Sequence, residues 1–152
     1  MKIIAHRANI NGPNRKNENQ KSSIKACIDL GYDVEIDIRF LNGKLYLGHD
    51  KPDLLITKDE LSMIKNKAWI HCKNIQAFSF FRQINEDFNY FWHEKDSYTL
   101  TSKNYIWASP GQALSPGCIC VMPEINCYSN NIKDLTNFCI SGICTDYPNL
   151  FN

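Results

Sequence analysis

Short apolar runs recur along this chain, and helix-type segments separate them in its first half. Leaving out residues 45–48, which follow the turn signal Asn42-Gly43 as the return arm of a hairpin, the strand-like runs lie at residues 2–5, 33–39, 68–70, 88–93, 98–101, 105–108, 118–122 and 142–145. Alternation of strands and helices favours a parallel sheet, and eight such units favour a closed barrel. The sequence therefore predicts an α/β fold of the TIM-type (β/α)8 barrel class.

The chain length limits how much of this barrel can be built. Such barrels typically need about 250 residues, whereas this chain has 152. Helix signals occur at residues 22–30, after Thr57, at 75–86 and at 130–140, and the connections between residues 98 and 122 are too short for full helices. We expect one domain over residues 1–152, a pared-down barrel that lacks several outer helices in its second half.

Missing helices leave barrel faces bare, and a second copy of the chain is a candidate partner for them, so a homodimer is one expectation. The aromatic residues at 88–92 and Trp107 are candidates for that surface or for ordinary core.

Composition and charge argue against several classes of protein. The formal net charge of +1 gives no electrostatic argument for binding nucleic acid or an anionic membrane. No run approaches the ~18 apolar residues of a membrane-spanning helix, and the N-terminus becomes polar too soon for a signal peptide. The odd number of cysteines, seven, favours reduced thiols. We expect a cytoplasmic protein with no nucleic-acid partner and no membrane insertion.

Residues 34–38 read Val-Glu-Ile-Asp-Ile, so apolar and acidic residues alternate there. In a strand this alternation puts Glu35 and Asp37 on one face. Two neighbouring carboxylates repel each other unless a positive group lies between them, and a divalent cation is the simplest such group. The pair therefore predicts a metal site, and the alternative is an edge strand with one face in water.

Other polar residues follow predicted strands at the same end. His6 and Arg7 follow the first run, His71 and Lys73 follow the run at 68–70, and His49 follows the return arm. In a barrel of parallel strands these ends meet at one mouth, where active sites lie. Taken singly, such a histidine is often a hydrogen-bonded structural residue and such a lysine is solvated. Their convergence at one end favours an active site.

The residue types fit metal-assisted cleavage of a phosphodiester. Arg7 and Lys73 can neutralise the non-bridging oxygens of the phosphate. A cation on Glu35 and Asp37 can polarise the phosphoryl group or lower the pKa of a bound hydroxyl. Two histidines can divide general base and general acid catalysis near neutral pH.

These segments resemble the glycerophosphodiester phosphodiesterases, within the group of phospholipase-C-like phosphodiesterases. The family pattern is a strand ending in His-Arg-Gly, a Pro-Glu-Asn-Thr segment, a Glu-x-Asp strand, a His-Asp pair and a later Glu-x-Lys. Ile4 to Arg7, Glu18-Asn19, Gly31 with Glu35-Ile36-Asp37, and Gly48-His49-Asp50 match the first four parts of this pattern. His71-Cys72-Lys73 stands where Glu-x-Lys is expected, and Gly142 to Pro148 resembles the closing strand of the family. The resemblance is dense over residues 1–50 and thin after them.

The resemblance implies a TIM-type barrel with a divalent cation, often magnesium or calcium. It implies His6 and His49 as the acid/base pair, and Glu35 and Asp37 as metal ligands. In the family, a substrate hydroxyl beside the phosphate can attack it and give a cyclic phosphate that is then hydrolysed. Glu18 takes the place of the glutamate in the second family segment.

Three positions depart from the family pattern. Ala8 replaces the glycine after His-Arg, Gln20 replaces a threonine, and His71 replaces the glutamate of Glu-x-Lys. An imidazole can bind a metal, but it shifts the preference toward zinc, manganese or similar ions. We expect Glu35 and Asp37 to bind a divalent ion and His71 to complete or border the site, the alternative being weak binding or none.

Three further residues are candidates near the mouth. His93 follows a predicted strand and either lines the mouth or has a structural role. Trp107 is a candidate apolar wall for the alcohol part of a substrate. Glu124 is a candidate for substrate contact or for capping a loop.

The leading prediction is a metal-dependent hydrolase of a small-molecule glycerophosphodiester or related sugar phosphate diester. The alternative is a barrel that binds a phosphate or phosphodiester and has lost turnover. The replacement at His71 favours this alternative, whereas the pair His6 and His49 opposes it. A phospholipase-like enzyme working at a membrane is disfavoured, because the sequence has no basic amphipathic helix.

Overall fold

The structure is a computed structural model that describes residues 1–125, 135 and 138–151. These residues form one sheet of ten strands with three α-helices. The strands are β1 Lys2–Ala5, β2 Asp33–Leu41, β3 Lys44–Leu47, β4 Leu54–Ile56, β5 Ala68–Cys72, β6 Asn89–Phe91, β7 Tyr98–Leu100, β8 Ile106–Ala108, β9 Ile119–Val121 and β10 Gly142–Thr145. The helices are α1 Lys21–Asp29, α2 Lys58–Ile64 and α3 Ile75–Gln83, and short 3-10 turns cover His6–Ala8 and Pro148–Phe151.

The central part of the sheet is parallel. β1 lies between β2 and β10, and both pairings are parallel. On one side β5 and then β6 continue from β2, and on the other β9 and then β8 continue from β10, again in parallel. Because these strands share one direction, their carboxyl ends lie along the same rim, where the polar residues of the sequence pattern are found.

Three antiparallel pairs accompany the parallel run, and the first of them is the predicted hairpin of β2 and β3. β3 returns along β2 and β4 returns along β3, while β7 pairs antiparallel with β8. Residues 101–105, which join β7 to β8, are too few for the crossover that a parallel pair needs. The sheet is therefore mixed, and the expectation that β7 would pair in parallel was wrong.

The two ends of the parallel run approach each other. The Ser102 backbone N–H donates to the Tyr90 carbonyl at 2.8 Å, and the Tyr90 N–H donates to Ser102 Oγ at 3.0 Å. The rings of Phe91 and Trp107 lie 4.6 Å apart. Between these ends the described residues form no continuous strand ladder, so the closed barrel stays a prediction.

The three helices lie where the sequence predicts them. Before α2, the Thr57 side chain accepts from the Glu60 N–H while the Glu60 carboxylate accepts from the Thr57 N–H, so the predicted capping box is confirmed. Asn74 caps α3 by accepting from the Ala77 N–H. No α-helix follows α3 in the described part of the chain. The predicted helix at 130–140 falls largely outside the described residues.

The sheet has an apolar cluster on each face. Val34, Ile36 and Ile38 of β2 pack with the helices, and since successive strand residues point to opposite faces, Glu35 and Asp37 extend from the other one. That second face carries the cluster of Ile4, Trp69, Phe91, Trp107, Ile119, Val121 and Cys144. Of the aromatic residues considered for a bare surface, Phe88, Phe91 and Trp107 are therefore core, and Trp92 is exposed.

Within the described residues, no helix combines the length and apolar character needed to span a membrane.

Candidate active site

The acidic pair of β2 lies beside the histidine of β5. Glu35 and Asp37 are buried, with 2% and 0% of their surface exposed. The register of β5 against β2 places His71 opposite Asp37. Consequently His71 Nδ1 lies 3.3 Å from Asp37 Oδ1 and 3.5 Å from Glu35 Oε1. The structure brings the three predicted metal ligands into one group.

Two cationic side chains and an amide also reach this pair. Arg7 Nε lies 3.5 Å from Asp37 Oδ2, and Lys73 Nζ lies 3.9 Å from Asp37 Oδ1. The Arg7 N–H donates to Glu35 Oε2 at 2.9 Å. The Asn19 amide clamps Asp37, because its Nδ2 donates to Asp37 Oδ2 and its Oδ1 accepts from the Asp37 N–H, both at 2.9 Å.

These contacts control the ionisation of Asp37. Burial alone raises the pKa of this carboxyl, but the nearby His71 imidazole, the charge of Arg7 and the Asn19 amide outweigh burial and hold the pKa well below its usual range. Asp37 is therefore a buried carboxylate at neutral pH.

His71 is held in a stack of rings. Its imidazole lies 5.0 Å from the Phe91 ring and 4.5 Å from the His93 ring, nearly parallel to both. Burial lowers the pKa of His71, but the nearby Asp37 and Glu35 raise it overall. For His93, burial and then the charges of His71 and Lys73 lower the pKa to about 4. Of the two stacked imidazoles, His71 therefore takes up a proton first.

The group formed by Glu35, Asp37 and His71 fits a divalent cation. One ligand atom from each residue lies within 4.8 Å of the others. Asp37 Oδ1 is buried without a hydrogen-bond partner, as is His71 Nε2. Two carboxylates and one imidazole suit manganese or zinc, and are a softer set than the oxygen ligands that calcium and magnesium prefer.

β1 delivers His6 and Arg7 through a strained turn. Arg7 and Ala8 adopt φ angles of 49° and 61°, in the left-handed region. This conformation costs a residue other than glycine roughly 1–2 kcal/mol, and Ala8 stands where the resembling family has glycine. The hydrogen bond from the Arg7 N–H to Glu35 offsets part of that cost and ties the turn to β2.

His6 forms a pair with an aspartate from the end of β10. His6 Nδ1 lies 2.8 Å from Asp146 Oδ1, which also accepts from Asn9 Nδ2 at 2.8 Å. Burial lowers the pKa of His6, but the hydrogen bond to Asp146 and the charge of Glu35 raise it overall. The Glu124 carboxylate accepts from the Asp146 N–H at 2.9 Å, so Glu124 supports the segment that carries Asp146.

His49 has a matching aspartate partner. His49 Nδ1 lies 2.7 Å from Asp50 Oδ1. The chain reaches this position through Gly48, whose φ is 143° and where a Cβ atom would lie 2.1 Å from the Lys51 carbonyl. Because the Gly48 N–H donates to the Asp37 carbonyl at 3.1 Å, the hairpin arm holds His49 beside β2.

A cavity of about 290 Å³ joins these groups. The sequence-predicted residues that line it are His6, Arg7, Glu35, His49, His71, Lys73, His93 and Trp107. Asp37 is fully buried and is not part of the lining. Glu18 lines a neighbouring cavity of about 190 Å³ and accepts a hydrogen bond from Arg7 Nη1 at 3.3 Å. Glu124 lines neither of these two cavities.

The prediction from sequence missed three partners of these residues, Asn9, Asn19 and Asp146. Asp146 directly follows the last strand, as His6 follows the first, so the strand-end rule was a usable signal for it. For Asn9 and Asn19, nothing in their sequence context indicates which carboxylate each one would contact.

No family model matches this sequence, and no curated protein or solved structure gives a significant match. The resemblance to glycerophosphodiester phosphodiesterases therefore stays an interpretation of the motif residues.

Proposed function

We propose that this protein is a metal-dependent phosphodiester hydrolase that acts on a glycerophosphodiester or a related small diester. One observation carries the proposal: two aspartate-paired histidines, two cationic side chains and a carboxylate–imidazole group meet at a single cavity. These side chains lie in or just after β1, β2, β3 and β5, so the fold brings together residues that are far apart in the sequence.

In this proposal His6 and His49 are the acid/base pair. An Nδ1 proton shared with Asp146 or Asp50 leaves Nε2 as the atom that exchanges protons with the substrate. One ring removes the proton of the attacking hydroxyl, and the other protonates the departing alkoxide. If the attacking hydroxyl belongs to the substrate, the product is a cyclic phosphate, and the two rings exchange roles when water opens it.

Arg7 and Lys73 bind the phosphate in this mechanism. Both line the cavity that contains the two histidines. Arg7 offers a planar fork and Lys73 a point charge to the non-bridging oxygens, whose negative charge grows during the reaction. A divalent cation held by Glu35, Asp37 and His71 would add positive charge beside the same oxygens.

The second candidate function is phosphate binding without turnover. It is favoured by one observation: Arg7, His71 and Lys73 already lie within 4.0 Å of the carboxylates, so internal cations can neutralise the pair. Such a site can bind an anion without needing a metal ion.

Hydrolysis of bis(p-nitrophenyl) phosphate distinguishes the two functions. The protein is stripped of metal with a chelator and assayed alone and with magnesium, calcium, manganese or zinc. We expect turnover to require added metal, to be highest with manganese or zinc, and to fall strongly in Glu35→Gln. Asp29→Asn, at an exposed carboxylate of α1, is the matched control and keeps full activity. Metal binding or phosphate binding without turnover would support the second function instead.

A further inference from the structure

We propose that the substrate is an unsymmetrical diester whose two alcohols occupy different cavities, a polyhydroxylated group in one and a flat apolar or aromatic group in the other. This inference rests on the proposed position of the phosphate at Arg7 and His49. Its basis is the relation between the two cavities at the site.

Arg7 and His49 line both cavities. They are the only residues common to the two linings. A phosphate bound by Arg7 and protonated through His49 therefore sits where the cavities adjoin. The two ester arms of a phosphodiester leave the phosphorus in different directions, so each arm has a separate space to enter.

The smaller cavity is suited to hydroxyl groups. Apart from Gly48, every residue that lines it is polar or charged, and the set includes Glu18, Gln20 and Asp53. Carboxylates and side-chain amides accept and donate hydrogen bonds to hydroxyls. An apolar group placed there would leave these polar atoms without partners, which is costly.

The larger cavity has an apolar side beyond its catalytic groups. Trp92, Trp107, Pro110, Val121 and Met122 line it together with the histidines. Its volume of about 290 Å³ is at the lower end of the range for small-ligand sites, about 300–1,000 Å³. A phosphate contacts only the charged groups, so the indole rings are available to pack against a flat or apolar alcohol.

Three phosphate monoesters test this division without requiring turnover. The affinities of methyl phosphate, sn-glycerol 3-phosphate and phenyl phosphate are measured by calorimetry on the full chain. Methyl phosphate reports the phosphate contacts alone. The affinity ratio of glycerol phosphate to methyl phosphate reports the polar cavity, and the ratio of phenyl phosphate to methyl phosphate reports the apolar side of the larger one.

We expect both ratios to be roughly tenfold in the wild-type protein, as one hydrogen bond to a charged group or one aromatic contact can supply. Asp53→Ala, at an exposed residue of the smaller cavity, should bring the glycerol ratio toward one and leave the phenyl ratio unchanged. Trp92→Ala, at a half-exposed residue of the larger cavity, should do the reverse. Neither residue belongs to the proposed catalytic machinery, and circular dichroism checks that both variants fold.

Equal effects of each variant on both ratios, wild-type ratios near one, or no binding of any monoester would overturn the inference. The outcome is separable from that of the proposed function. Ratios that behave as expected in a protein that hydrolyses neither bis(p-nitrophenyl) phosphate nor a glycerophosphodiester would support the two cavities and reject the hydrolase. Hydrolysis by a protein whose two affinity ratios do not respond to Asp53→Ala and Trp92→Ala would support the hydrolase and reject the two cavities.

Discussion

Replacing Asp37 by asparagine tests whether the protein's own cations stabilise the buried carboxylates. The change keeps the shape of the side chain and removes its charge. Asp37 is fully buried and lies 3.3 Å from His71 Nδ1, 3.5 Å from Arg7 Nε and 3.9 Å from Lys73 Nζ. Asparagine can still accept from Asn19 Nδ2 through the oxygen at the Oδ2 position, but its amide hydrogens at the Oδ1 position would then face His71 Nδ1 and Lys73 Nζ.

The expected cost follows from the environment of these groups. Removing one partner of a buried ion pair typically costs about 3–5 kcal/mol, because the remaining charges lose their compensation. The opposing effect is relief of repulsion between Glu35 and Asp37, which would stabilise the variant. Because three cationic side chains lie close to the two carboxylates, we expect the loss of charge compensation to outweigh the relief of repulsion. For a chain of this size we expect the melting temperature of metal-free Asp37→Asn to fall by about 6–20 °C.

Thermal unfolding followed by tryptophan fluorescence measures the melting temperature, and urea unfolding measures the free energy of unfolding, since Trp69 and Trp107 are buried in the cluster beneath the site. Asp29→Asn is the control: Asp29 pairs with Lys25 on the exposed face of α1, and its loss should change stability by less than about 0.5 kcal/mol. A metal-free Asp37→Asn protein as stable as wild type, or more so, would show that carboxylate repulsion dominates and refute the reasoning.

Of four further predictions, two concern His6, one concerns the metal group and one concerns α2. Asp146→Asn removes the negative charge of the carboxylate that accepts from His6 and raises its pKa. NMR titration should show that pKa falling, and kcat should drop at least about 100-fold with the fold intact, while unchanged values would contradict the pairing. The raised pKa of His6 also means that its stabilising contribution is present below its unfolded pKa of about 6.5 and is lost as pH rises through the folded pKa, so the stability deficit of Asp146→Asn should be larger at pH 5.5 than at pH 9. Because His71 must lose its proton to bind a metal, manganese affinity measured by calorimetry should rise from pH 6 to pH 8, by at most about tenfold per pH unit, and this rise should vanish in His71→Gln. Thr57→Ala breaks the capping box of α2 and should cost about 1 kcal/mol in urea unfolding; a change below about 0.3 kcal/mol would show that the cap is dispensable.

Local patterns predicted most of the strands and helices of the described residues, because the causes of these elements are local. Thr57 and Glu60 are three residues apart, so their reciprocal hydrogen bonds need only α2 itself. The period-two pattern of β2 likewise separates its charged face from its apolar face within one strand. By contrast, β4 went unpredicted, because three residues are too few for a periodicity and its pairing depends on the bend at Gly48.

The candidate site likewise combines residues that local patterns identify with partners that depend on distant contacts. The strand-end rule brought out His6 and His71, because the rim of a parallel sheet gathers the residues at the carboxyl ends of its strands, and the period-two pattern brought out Glu35. The partner of His6 depends on β10 lying next to β1, a contact across 140 residues that no short motif encodes. For His71 the position was predicted but the role is open, because an imidazole between two carboxylates can be either a metal ligand or an internal cation.

Single-turnover hydrolysis of a glycerophosphodiester by metal-loaded wild-type protein, His6→Ala and His49→Ala tests the central claim most directly, with phosphorus NMR to follow the products. The two-histidine site predicts product from the wild type and nearly none from either variant, while circular dichroism shows all three folded. Wild-type rates in both variants, or no product from the wild-type protein with any of the metals, would contradict it.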